Sequence, residues 1–163
     1  MEATKLLMRQ HREIDRLFER FEAAGDDASE TREQVRQKLS DALAVHAAVE
    51  EKIFYPATKD ARTADLLHEA LEEHLAVKRI VADLLQLGVD DAQLDSRMKV
   101  LKDRVQQHVR DEEKELLPVV RKMFERDELE QLGEEMENLA NELLQQGDLR
   151  QQVTGPTDEP AHI

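Results

Sequence analysis

Four stretches of this chain carry the same kind of apolar stripe, and each stripe holds one histidine where an aliphatic residue is expected. The first reads Leu7, His11, Ile14, Phe18, Phe21, and the second Leu39, Ala42, Leu43, His46, Val49, Glu50, Ile53. The third reads Leu67, Leu71, His74, Val77, Val81, Leu84, Leu85, and the fourth Leu94, Met98, Leu101, Val105, His108, Glu112, Leu116. Spacings of three and four are the period of an amphipathic α-helix. Short connections make neighbouring helices antiparallel, so the pattern predicts an all-α, up-down-up-down four-helix bundle.

Composition agrees with long helices. Only 5 Gly and 4 Pro interrupt 163 residues, and aromatics are 3%. The first helix is predicted over 3–24, stopping at Gly25-Asp26-Asp27. The second starts near Ser29–Thr31, with Gln34 placed for a capping box on Thr31, and Pro56 disturbs or ends it. The third runs from 60–63 to Gly88. The fourth follows Asp90-Asp91, with Pro118 as a kink or stop. A fifth helix over 127–146, with Asp127 and Glu130 as its N-cap pair, carries Leu129, Leu132, Met136, Leu139 and Leu143 in a coiled-coil-like seam. That seam predicts docking on the bundle exterior; a homodimer contact through this helix is the alternative. The expected organisation is a bundle over 1–126, an accessory helix over 127–147 and a disordered tail over 148–163.

Two of the histidines head the same word, His46-Ala-Ala-Val-Glu50 and His108-Val-Arg-Asp-Glu112. Residues four apart share one helix face, so each word presents an imidazole and a carboxylate together. Acids are frequent, 37 of 163 residues, so the word alone is cheap. His68 makes it too, with Glu72. Placement separates them. Glu50 and Glu112 are drawn toward the core, where an ionised carboxylate is costly without a positive partner. A buried cation supplies one. His68 lies six residues before His74, about 120° around the helix, and is assigned with Glu72 to the surface.

The chain has no Cys, which excludes thiolate zinc sites, iron–sulfur clusters and disulfides. Any metal must be held by His and carboxylate. Four His and two Glu exceed the needs of one tetrahedral zinc ion, which argues for two metals. The formal net charge of −14 argues against nucleic acid and anionic membrane as partners. The polar N-terminus and the lack of a transmembrane-length apolar run predict a cytoplasmic protein.

The chain resembles the hemerythrin family in its bacterial HHE-type branch. The matching residues are His11 in His-Arg-Glu-Ile-Asp, His46 to Glu50 followed by Glu51-Lys-Ile-Phe-Tyr-Pro56, Glu72-Glu73-His74, and His108 to Glu112 followed by Glu113-Lys-Glu-Leu-Leu-Pro118. The resemblance implies a non-haem di-iron centre with an oxo or hydroxo bridge. It makes His11, His46, His74 and His108 terminal ligands, and Glu50 and Glu112 bridging carboxylates. Manganese and zinc are the alternative metals.

One departure stands out. Oxygen-carrying members place two His four apart on the third helix, whereas His74 is flanked at that distance by Ala70 and Lys78. Of about 12 positions on two six-coordinate ions, about two are then left for water, another carboxylate, Tyr55 or an open site. The functions implied are binding of O2 or a related small oxidant (peroxide or nitric oxide), or an enzyme that consumes peroxide or reduces nitric oxide. Iron handling and a metal-free interaction module are less favoured, since no candidate His has the Glu three before it that ferritin-like bundles use.

Overall fold

The computed structural model describes residues 1–25, 27–147, 149 and 157–163. Among these residues every regular element is helical. The order is α1 (Ala3–Ala23), α2 (Ser29–Val49), a π-helical turn (Glu50–Phe54), α3 (Tyr55–Thr58), α4 (Ala64–Leu85), α5 (Leu94–Asp111), a second π-helical turn (Glu112–Leu116), α6 (Leu117–Met123) and α7 (Arg126–Gln146). α1 pairs with α2 and α4 with α5, and α7 lies against α1 and α2. The expected stripes are the core. In α1, Leu7, His11, Ile14, Phe18 and Phe21 are all buried.

The two prolines do not end their helices. A proline ring has no N–H and collides with the carbonyl four residues back. In both places the helix opens by one residue ahead of the proline. The Tyr55 N–H reaches five residues back to the Glu50 carbonyl, and the Leu117 N–H reaches likewise to Glu112. Such π turns inside α-helices occur frequently at functional sites. Here each one begins on the glutamate of an H-x-x-x-E word.

Other boundaries shift for local reasons. The expected Thr31–Gln34 capping box is absent, because the N-cap of α2 is Ala28, three residues before Thr31, with no side-chain cap. Ser29 instead hydrogen-bonds Asp90 at 2.6 Å across the helix ends. α7 is capped by a box between Glu125 and Glu128, not by Asp127 and Glu130. Glu130 pairs with Arg126 at 2.8 Å.

The seam of α7 is used within the chain, with Leu129, Met136 and Leu143 buried, as docking on the exterior requires. Gly133 permits the closest approach: a Cβ there would lie 1.9 Å from the Met1 carbonyl oxygen. Of the tail expected to be disordered, Asp148 and residues 150–156 lie outside the described residues. Leu149 is buried. Residues 157–163 run beside α3 and α4, with Arg79 donating to the Thr157 carbonyl at 2.8 Å and Lys59 to that of Ile163 at 3.2 Å. No helix among the described residues is long and apolar enough to cross a membrane.

Candidate metal centre

Each helix of the bundle delivers its histidine to one buried point. His11 comes from α1, His46 from α2, His74 from α4 and His108 from α5, and all four are buried with Glu50 and Glu112. The donor atoms fall into two groups that share Glu50: His11, His46, Glu50 and Glu112, then Glu50, His74 and His108. His46 Nε2 lies 3.1 Å from Glu50 Oε1, and His11 Nε2 lies 3.4 Å from Glu112 Oε1. On the other side, His74 Nε2 is 2.8 Å from Glu50 Oε2, and His108 Nε2 is 3.5 Å from Glu112 Oε2. Each carboxylate therefore turns one oxygen to each pair of imidazoles.

Six buried side-chain polar atoms among the described residues have no hydrogen-bond partner, and four of them belong to the first group: His11 Nε2, His46 Nε2, Glu50 Oε1 and Glu112 Oε1. Buried polar atoms are nearly always paired. Four orphans converging on one spot mark a place for a cation, and two nitrogens with two oxygens are a donor set that suits a divalent transition metal.

Tyr55 occupies the second group. Its hydroxyl lies 2.9 Å from Glu50 Oε2, 2.8 Å from Glu112 Oε2 and 3.3 Å from His74 Nε2. The π turn puts it there. Five residues of α-helix would leave Tyr55 about 140° around from Glu50, whereas an i→i+5 turn brings it back to the same face. Burial pushes its hydroxyl well above its ordinary range, and the charges of Glu112 and Glu50 push it further. Ala70 and Lys78 contribute no donor to the cluster. Ala70 borders a void of about 20 Å³ beside Glu73, His108 and Glu112, and Lys78 bonds Glu51 at 2.6 Å.

The electrostatics are those of a cation site. Burial alone would raise the Glu50 carboxyl, but His46, His108 and His74 outweigh it and hold it well below the usual carboxylate range. Burial lowers His46 despite Glu50. Burial also opposes a charge on His108, yet Glu50, Glu73 and Glu112 hold it well above its ordinary value.

A further ring of residues, which sequence reasoning did not assign, orients the imidazoles. Nδ1 of His11 meets Glu113 at 2.8 Å, that of His46 meets Gln10 at 2.8 Å, and that of His108 meets Glu73 at 2.6 Å. Glu51 stands 3.5 Å from His74 Nδ1. The first three contacts set the tautomer and leave Nε2 free to ligate, while His74 Nδ1 has no hydrogen-bond partner. The available signal was adjacency: each of these residues directly precedes a candidate histidine or follows a candidate glutamate. His68 and Glu72 are exposed, as expected, and so is His162.

Fold and site together define a helical bundle built around a buried His and carboxylate cluster suited to a metal ion. The chain belongs to the hemerythrin family, because the family model described as hemerythrin HHE cation binding domain matches residues 2–120. Its fold is that of the crystal structure of a hemerythrin HHE cation binding domain-containing protein from Mycobacterium kansasii. The TM-score is 0.79 at 23% identity, covering 94% of this chain and 98% of that one. The chain is also similar to a protein described as a DNA nickase from Nostoc sp. (strain PCC 7120 / SAG 25.82 / UTEX 2576), 26% identical over 145 residues. That match covers 89% of this chain and 40% of the relative, so the chain spans less than half of the relative's length.

Proposed function

We propose that this protein holds two iron ions and binds O2 or a related small oxidant at them. The observation that carries the reading is the pair of donor groups sharing Glu50, with four orphaned atoms converging in one group. His11 and His46 would hold one ion and His74 and His108 the other, with Glu50 and Glu112 in reach of both. Tyr55 would stand at the second position in place of the missing imidazole. Bound iron supplies reversible one-electron redox chemistry and open coordination for a small ligand.

This chain's residues do the rest. A cavity of about 40 Å³ adjoins the centre, walled by Ile14, Leu43, Val77, Val105 and Val109, with His46, His74 and His108 at its base. Its small volume and apolar walls suit a diatomic molecule. Lys78 stands at the same cavity, tied to Glu51.

One observation favours a second reading, an enzyme that consumes peroxide or reduces nitric oxide. The Tyr55 hydroxyl is a buried proton donor beside two carboxylates, and turnover of either substrate moves protons between its oxygen atoms and the site. The relative's description as a DNA nickase gains no support from a net charge of −14.

Metal analysis and optical spectra of protein grown with iron test the common part. Two irons per chain with visible absorption support it, and a colourless, iron-free bundle overturns it. A spectrum that cycles with O2 admission and removal supports the binding reading. Sustained peroxide consumption with no oxy spectrum supports the enzyme.

A further inference from the structure

The two halves of the centre differ most sharply in one pair of outer partners. Glu113, which meets His11, is paired with Arg12 at 3.0 Å. Glu51, which faces His74, is paired with Lys78 at 2.6 Å. Each of these carboxylates is thus matched by a cation. The other two imidazoles are treated differently. His46 Nδ1 meets the amide oxygen of Gln10 at 2.8 Å, while His108 Nδ1 meets the carboxylate of Glu73 at 2.6 Å. Gln10 and Glu73 hold equivalent places, each directly before the histidine of its own helix. Among the described residues no Lys or Arg ion-pairs with Glu73, whose recorded partner is His108.

The shared carboxylates cannot distinguish the halves, because each gives one oxygen to either side. The distinction falls to Gln10 and Glu73. A carboxylate that accepts a ring N–H makes the opposite ring nitrogen a stronger donor. It also sets a negative charge one imidazole away from the ligand site. An amide accepts the same hydrogen bond without the charge. Glu73 is only partly exposed, with 28% of its side chain accessible, so solvent weakens its effect without removing it.

We propose that Glu73, acting through His108, makes the His74–His108 position the first to take a divalent cation, and that Gln10 leaves the His11–His46 position the weaker one. The proposal rests on the two-ion reading above. Glu73 is here a positioning residue, touching no metal itself.

The chain carries its own reporter. It has one Tyr and no Trp, and the Tyr55 hydroxyl lies against His74, on the side expected to fill first. The test titrates metal-free full-length protein with iron(II) under argon, reading bound iron and tyrosine fluorescence together. In the unaltered chain the tyrosine change is complete by the first equivalent. Glu73→Gln keeps the size and the hydrogen bond. It weakens the first step by about 10–100-fold and spreads the tyrosine change over both equivalents, with helical content unchanged by circular dichroism. Gln10→Glu tightens the second step and narrows the gap between the two.

A tyrosine change that waits for the second equivalent overturns the proposal. So does a Glu73→Gln variant whose two steps are unaltered or weakened alike. A chain that takes up no iron overturns the two-ion reading itself, whereas two equal steps that ignore Glu73 overturn the order of filling alone.

Discussion

The α1–α2 hairpin and the α4–α5 hairpin are built on one plan and finished differently. Both carry the word H-x-x-x-E-E, both open into a π turn at its first glutamate, and both resume their helix at a proline. Where the first π turn gives way to α3 the chain has Tyr55, at the cluster; where the second gives way to α6 it has Leu117, buried in the core. The first hairpin is covered by α7, and residues 157–163 lie along α4 of the second. The shared word positions two carboxylates symmetrically, and residues outside it make the two sides chemically unlike.

The largest effect should come from breaking what both halves share. Glu50→Ala and Glu112→Ala are each expected to abolish loading of both ions, read as iron per chain. Retention of both ions by either variant removes the shared-carboxylate arrangement.

Disturbing one flank alone should cost stability and spare the metal. Gly133→Ala forces a methyl into the Met1 carbonyl, at the upper end of about 1–3 kcal/mol for overpacking. The urea midpoint is expected to fall while iron content holds. A loss of iron in proportion would show that α7 is part of the centre.

Tyr55→Phe tests the other side. In the metal-free protein it leaves Glu50 and Glu112 without their hydroxyl donor, costing about 1–3 kcal/mol. In the loaded protein it alters the visible spectrum. No change in either measurement would reduce Tyr55 to packing.

The buried groups of the centre should also set how the metal-free protein responds to pH. The His108 value is raised, so the stability it lends is fully present below 6.5 and is lost as pH rises through its folded value. Glu50 acts oppositely: its share is present above 4.5 and is lost as pH falls through its depressed value. Denaturation midpoints of the metal-free protein should therefore decline on the alkaline side, and Glu73→Gln should flatten that decline. The smallest effect is reserved for His68→Ala, expected to leave iron content unchanged and stability within about 0.5 kcal/mol.

The bundle was legible because burial imposes a period of 3.6, and the stripes through His11, His46, His74 and His108 keep that period without interruption. The same logic separated His68, a third of a turn out of line. The π turns were not legible from periodicity, since they are departures from it. Pro56 was visible only as a disturbance or stop and Pro118 only as a kink or stop, because the signal for a break does not say how the backbone will absorb it. Tyr55 was suspected by its nearness to Glu50 in sequence, yet its arrival on the site face depends on that unforeseen turn. Gln10, Glu73 and Glu113 stayed hidden for a different reason. Polar residues are so common in this chain that adjacency to a candidate ligand was the one weak mark of the few that lean inward.

The π turns also bear on how the chain can change in length. Each holds one residue more than an α-helix would, and that residue sets the rotation of everything beyond it by about 100°. Deleting one residue between Glu50 and Tyr55 would restore a regular turn with Tyr55 four on from Glu50, still on the site face, whereas an insertion would carry it about 100° further round and off the centre. The loop over residues 86–93 faces no such constraint. A library of single-residue insertions should therefore find the contribution of Tyr55 to the metal spectrum kept in that loop and lost in the short segment that ends at Pro56.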